Sequence, residues 1–447
     1  MKIQATRRTM LRGGAMLLGG LASATALRPA QAQLRIDITR GRVEPMPIAV
    51  SPFFAAQEGE RQYGDNIPQV VADDLERSGL FRPLPRASFT QQPAAMRNTA
   101  PRFGDWRQIG AQALVNGGIE IQRDGRVKVE FRLWDVTSGQ QQEGQVYTTT
   151  AQNWRRIAHI IADAIYKRIT GEDGYFDTRI VFVTESGPAQ RRIKRLTIMD
   201  QDGANVRYLT DGSELVLTPR FSPNSQDVTY LGYVSEQRPR VYMMNIDSGQ
   251  RAVLGDFQGM TFAPRFAPDG NRVIFSVSEN GLSDIWTYDT RSRARQRLTN
   301  GPGINTAPCF SPDGRQVVFE SDRGGSQQLY VMNSDGSNAR RISFGQGRYA
   351  TPVWSPRGDL IAFTRQGDGG FAIGVMRPDG SQERLLSNAF LAEGPTWSPN
   401  GRVIMFFRQS GGGAQPRLVS IDVTGYNERE VRTPGAASDP AWSPLIP

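Results

Sequence analysis

One histidine, His159, and one cysteine, Cys309, are the only imidazole and thiol in the 447 residues. A His-based metal site or a metalloprotease motif needs a second histidine, and there is none. A serine triad on His159 would need a nucleophile elbow of the G-x-S-x-G kind, which the sequence lacks. His159 therefore reads as a helix residue packing at a domain surface. No glycine-rich stretch has phosphate-cradling spacing. Asp200-Gln201-Asp202-Gly203 faintly echoes a calcium loop but lacks the later acidic ligand, so it reads as a hairpin turn. Cys309 cannot form an intramolecular disulfide and reads as a buried small hydrophobe. These observations predict no catalytic residues, no metal and no cofactor, and leave surface as the chemistry on offer.

The elements that would carry such a surface repeat. Phrases such as FSPDGRQVVFESDRGG from Phe310 recur, and aligned prolines fall at Pro219, Pro264, Pro308, Pro352, Pro395 and Pro440, spaced 45, 44, 44, 43 and 45 residues. A period in the low forties, with several short apolar alternations between turns, is the pattern of four-stranded propeller blades. In one unit, Pro308-Cys309-Phe310, Gln316 to Ser321, Leu329 to Asn333 and Arg340 to Ser343 read as successive strands. Phe221, Phe266, Phe310, Trp354, Trp397 and Trp442 occupy one equivalent position, which predicts packing between blades. The chain joins the repeat at Ile180-Val181-Phe182-Val183, a second strand, and leaves it at Pro440-Ala441-Trp442-Ser443-Pro444, a first strand. The last blade is thus expected to close with strands from both ends, which removes free sheet edges.

Ahead of the repeat, Met46 to Val50 reads as a strand and Asp65 to Ser78 as a helix capped by Asp65 or Asn66, with an early Pro68. Ala113 to Gln122 and Val127 to Val136 flank the hairpin signal Asp124-Gly125. Trp154, Ile157, Ala158, Ile161, Ile165 and Ile169 mark one face of a helix that stops at Gly171. The first 32 residues read as an export signal: a basic start, the run GGAMLLGGLASATAL and Ala30-Gln31-Ala32, with cleavage between Ala32 and Gln33. TRRTMLR resembles the twin-arginine consensus, and a Sec signal with adjacent arginines is the alternative. The fold class is thus a small N-terminal α/β domain followed by an all-β six-bladed β-propeller. The organisation is a signal over 1–32, a segment over 33–43, the α/β domain over 44–170, a polar linker over 171–176 and the propeller over 177–447.

The formal charge of +9 includes Lys2, Arg7, Arg8, Arg12 and Arg28 of the signal. The remaining arginines are dispersed through turns and strands, which argues against nucleic acid as a partner. The loops before the repeat prolines differ from blade to blade, as in Gln258 to Phe262, Gly303 to Ala307, Arg348 to Thr351 and Leu391 to Gly394. Variable apolar loops on a rigid ring suit a binding face.

The export signal, the start LRIDITRGRVEPMPIAVSPF, the helix RRIAHIIADAIYKRITG and six S-P-D-G-type repeats closed by PAWSP together resemble the TolB family. That resemblance covers nearly the whole processed chain. It implies a monomeric periplasmic adaptor of the Tol-Pal system, peripheral to the envelope membranes through its partners, serving outer-membrane integrity and cell division. The implied contacts for the lipoprotein Pal are Met260, Thr261, Ala263, Asn305, Thr306, Tyr349, Thr351 and Glu393; those for the C-terminal domain of TolA are Leu34, Arg35, Ile36, Asp37 and Ile38. Met260 stands where the family often has histidine. LRIDI alternates apolar and polar residues, so it suits pairing with a partner's sheet edge or docking on its own domains. Two alternatives stay open: a propeller hydrolase or lactonase using Glu393 and Asp439, and a glycan-binding module using Tyr349 and Phe262.

Overall fold

The computed structural model describes residues 34–38, 43–188, 191–233, 239–255, 257 and 259–446. The export signal, the cleavage position at Ala32 and Gln33, Gln258, and residues 33 and 39–42 of the amino-terminal segment lie outside the described residues. In the first domain, strand β1 (Met46–Val50) lies parallel to β3 (Phe81–Pro83) on one side and β4 (Ala113–Ile121) on the other. The short β2 (Phe54–Ala55) also pairs with β4, and β5 (Val127–Asp135) and β6 (Gln141–Thr149) continue the sheet antiparallel. Helices α1 (Glu58–Arg77) and α3 (Trp154–Thr170) share one core with this sheet and with the propeller. The other face of the sheet packs on Met96, Trp106 and Ala111, near the short α2 (Phe103–Gln108).

Helix α1 starts well before Asp65, because Glu60 makes a capping box with Gln57. The Glu60 carboxylate accepts from the backbone N–H groups of Ala56, Gln57 and Ile121 at 2.9, 3.0 and 2.9 Å, which satisfies a buried charge. Pro68 consequently sits inside the helix rather than near its start. A helical proline frees the carbonyl four residues back. Here that is Gly64, whose oxygen accepts from Phe53 N–H at 2.8 Å. A side chain at Gly64 would meet the Phe53 oxygen at 2.8 Å, so glycine lets the loop approach this closely. Helix α3 ends as expected at Gly171, whose φ is +81°.

Six four-stranded sheets form the propeller. Five are continuous in sequence, with inner strands Leu215–Phe221, Met260–Phe266, Asn305–Phe310, Arg348–Trp354 and Leu391–Trp397. The sixth pairs the last strand, Ala436–Trp442, with Arg179–Ser186, followed by Ile193–Asp200 and Arg207–Tyr208. The closure expected from the two ends of the repeat is therefore present. The repeated aromatics pack against the preceding blade: Trp354 joins Val318, Leu329 and Val331, and Trp397 joins Val353, Ile373 and Val375.

The stretch after Gly171 is not a loose polar connector. Tyr175 and Phe176 are buried among Tyr166 and Trp442, with ring centroids 5.7 to 5.9 Å apart. Asp163 of α3 accepts from the backbone N–H groups of Phe176 and Asp177 at 2.8 and 3.0 Å. Sequence polarity misleads at this point because the charges of Glu172 and Asp173 meet Arg357 and Lys167 at the surface while the next two rings turn inward.

Two measurements test this frame. Trp442→Ala removes a buried ring whose Nε1 donates to Thr178 Oγ1 at 2.8 Å. It should cost about 3–5 kcal/mol in urea denaturation. Burial pushes the Asp163 carboxyl up to about 7, with Asp74 and Asp177 adding to the rise and the two N–H bonds opposing it. A folded pKa above the unfolded one means that this contribution to stability is complete below about pH 4 and is lost as pH rises through 7. Asp163→Asn should flatten that part of the stability profile in denaturation series from pH 4 to about 8.

Candidate binding face and docked segment

The amino-terminal domain covers one face of the ring. Asn400 donates to Asp173 O at 2.8 Å, Arg357 pairs with Glu172 at 2.8 Å, and Asn427 donates to Arg77 O at 2.9 Å. These propeller residues lie in turns joining first to second strands or third to fourth strands. In an antiparallel blade, the loops joining second to third strands, and one blade to the next, must emerge on the opposite face. That opposite face is where much of the exposed apolar surface lies. Met260 (46 %), Leu282 (44 %), Ile304 (47 %), Phe344 (72 %) and Phe390 (57 %) all belong to such loops or to the strand ends beside them.

The residues named from sequence divide sharply here. Met260 is exposed; Ala263, Thr351 and Glu393 are half-buried. Thr261, Asn305, Thr306 and Tyr349 are buried, which corrects the expectation that their side chains stand on the rim. Asn305 donates to Ser283 O at 3.0 Å and accepts from Ser321 and Arg323 at 2.8 and 2.6 Å. Thr306 donates to Glu320, and Thr261 donates to Pro239 O at 3.3 Å. Tyr349 packs on Phe363 and donates to Glu383 at 2.8 Å, so it is no exposed platform for a sugar. Ile304, within the loop read from sequence, is exposed; Phe344 and Phe390, also exposed, were not singled out, although both lie in the crossover from one blade to the next.

Each inner strand carries a bulge at the residue before its repeat proline. Thr218, Ala263, Ala307, Thr351, Gly394 and Asp439 have φ between +47° and +68°. At each bulge the register slips by one residue against the second strand. Charged groups gather near these bulges. Burial raises the carboxyl pKa of Glu320, Glu393 and Asp439. Burial, with Arg265 beside it, lowers Arg220 to about 9. Glu320 also accepts the Thr351 N–H at 2.8 Å, tying two adjacent blades.

On the domain-covered side, Leu34, Ile36 and Ile38 are buried while Arg35 and Asp37 are exposed. The Ile36 N–H donates to Ile169 O at 3.0 Å, and Arg402 donates to Ile38 O at 3.2 Å. Arg402 is itself held by Asp422 at 2.6 Å. The alternation read in LRIDI is thus used for docking against α3 and the fifth blade. His159, expected as a helix residue packing at a domain surface, is buried at the same junction, where α3 meets the propeller. Its Nδ1 is 2.5 Å from Asp74 Oδ2, and Asp74 also accepts from Gln201 and Arg77, each at 2.8 Å. Burial pulls the His159 pKa down, but the charges of Asp74 and Asp202 and contacts with Asp200 and Asp74 raise it to about 10.

Stability and contact should separate on this face. Asn305→Ala leaves Ser321, Arg323 and Ser283 groups unpaired and should cost about 2–3 kcal/mol in thermal or urea denaturation. Met260→Ser removes only exposed surface and should stay within about 0.5 kcal/mol.

Comparison with known proteins accords with this architecture. The family model of the TolB amino-terminal domain matches residues 34–142, and that of the TolB beta propeller domain matches residues 166–446. The crystal structure of TolB from Acinetobacter baumannii superposes with a TM-score of 0.79 at 28 % identity, covering 92 % of this chain and all of that one. A putative TolB from Agrobacterium tumefaciens aligns at 19 % identity and TM-score 0.47, over 60 % of this chain and 99 % of its own. The Kuenenia stuttgartiensis hydrazine synthase aligns at 13 % identity and TM-score 0.50, over 60 % of this chain and 47 % of that one, a likeness of fold alone. With both domains matched in order, the chain belongs to the TolB family, non-enzymatic envelope proteins of the Tol-Pal system.

Proposed function

We propose that this protein is a monomeric periplasmic adaptor that binds Pal on the apolar face opposite its amino-terminal domain and the C-terminal domain of TolA through residues 34–38. In this reading the first 32 residues export it, and it serves outer-membrane integrity and envelope constriction at division. No helix among the described residues is long and apolar enough to cross a membrane, and in this reading contact with either membrane runs through the partners. The observation that carries the Pal assignment is the set of exposed apolar side chains Met260, Leu282, Ile304, Phe344 and Phe390 on one face. Concentrated apolar surface rimmed by polar residues marks an interaction site.

The TolA assignment is supported by how the segment is held. Three buried side chains contribute roughly 1.5–3 kcal/mol each. Ordering five residues costs about 1–2 kcal/mol each, so the two sums nearly cancel. Hydrogen bonds such as those of Ile36 N–H and Ile38 O tip the balance, and a partner sheet edge offering similar bonds can compete. Docked and released states then form a two-state element. Pal shifts it only through unequal affinity for the two, and the effect is reciprocal.

Calorimetric titration of the chain from Gln33 onward with the soluble domain of Pal tests the face. Saturable binding is expected, weakened at least about a hundredfold by Met260→Glu with Ile304→Glu. Undiminished binding by a folded double variant rejects this face. Unchanged Pal affinity after deletion of residues 33–43 rejects the coupling.

A further inference from the structure

We propose that His159, Asp200 and Asp202 form a binding site for a divalent transition metal of the Zn2+ class, joining the amino-terminal domain to the sixth blade. One nitrogen or oxygen from each of the three lies within 4.8 Å of the others. The ligand atoms of a single Zn2+ stand about 3–4 Å apart, given metal–ligand distances near 2 Å, so a small closure completes the set. His159 Nε2 points the same way: it is buried and has no hydrogen-bond partner, and the nearby Asp200 Oδ2 is 3.9 Å away. A buried ring nitrogen with no hydrogen-bond partner, facing two carboxylates, becomes a ligand position once it gives up its proton to an incoming metal.

The other side of the ring is already arranged for that role. Metal-ligating histidines typically donate their second N–H to a carboxylate, which fixes the tautomer and strengthens the ligand. His159 Nδ1 meets Asp74 Oδ2 at 2.5 Å, and Asp74 is anchored by Gln201 and Arg77. Asp200 and Asp202 are themselves fixed in a tight hairpin, where Gly203 N–H donates to Asp200 O at 2.9 Å. A mixed imidazole and carboxylate set suits Zn2+ and its first-row neighbours.

Arg155 now supplies the positive charge. It pairs with Asp202 and lies 3.8 Å from Asp200, from the first turn of α3. Beside it opens a cavity of about 460 Å3 lined by Gln152, Arg156, Asp177 and Arg207, which gives the guanidinium room to swing aside and the metal a way in. On binding, His159 releases its Nε2 proton to solvent and keeps the Nδ1 proton on Asp74. Because His159 comes from α3 and the two aspartates from the propeller, the metal cross-links the domains.

The test is titration of untagged protein with Zn2+ and Co2+, read by calorimetry and by Co2+ absorption. With one histidine and one cysteine in the chain, competing soft sites are few. One metal per chain is expected, bound about tenfold tighter or better by Arg155→Gln. His159→Gln and Asp202→Asn should each abolish it. If the first variant fails to fold by circular dichroism, the second decides. In 15N spectra the single histidine should shift at Nε2 and keep its Nδ1 proton. Absence of saturable binding in both the unaltered protein and Arg155→Gln overturns the proposal, as does binding retained by folded Asp202→Asn.

Discussion

The pairing of Ala436–Trp442 with Arg179–Ser186 is the contact on which the rest of the molecule depends. Without it the propeller is an open arc with two unsatisfied strand edges and a gap where Trp442 sits against Tyr175 and Thr178. The same pairing brings the end of the chain beneath the amino-terminal domain, where Arg156 of α3 bonds to the Ile446 carbonyl at 3.0 Å. Ring closure and domain docking thus draw on the same residues. The junction aromatics Tyr175 and Phe176 belong to the ring's closing seam as much as to the domain above it.

That seam fixes which surfaces are free. Once the amino-terminal domain occupies the face built from first-to-second and third-to-fourth strand turns, the crossover loops are left on the uncovered face. Their apolar side chains stay exposed while the polar side chains beside them turn inward and hold the loops in shape. Asn305 and Thr306 are engaged in such internal bonds, so the residues of these loops divide into those that are exposed and those that hold the loop.

Much of this architecture was legible because a repeated aromatic, proline and turn leave a period that no local ambiguity can hide. The hairpin around Asp124-Gly125 and the helix ending at Gly171 were equally plain, since turn chemistry and 3.6-residue spacing act locally. Strand β6 was not, because QQEGQVYTT is a half-exposed edge with no alternation to read. The start of α1 was hidden in a polar run whose cap depends on Glu60 reaching Ile121, far along the chain. The exposure of single loop residues was least legible of all. Tyr349 is buried and Phe344, in the crossover just before the same strand, is exposed, a difference that spacing alone does not reveal.

The bulge before each proline does more than kink a strand. One extra residue reverses the alternation of side chains, so each inner strand changes phase halfway along its length. The half after the proline carries the repeated aromatic that packs on the preceding blade. The half before it runs on its own count. Both halves still meet the neighbouring blade, since Tyr349 packs with Val318 and Leu329 and the Thr351 N–H binds Glu320, so a rim residue cannot be exchanged without regard to the blade beside it.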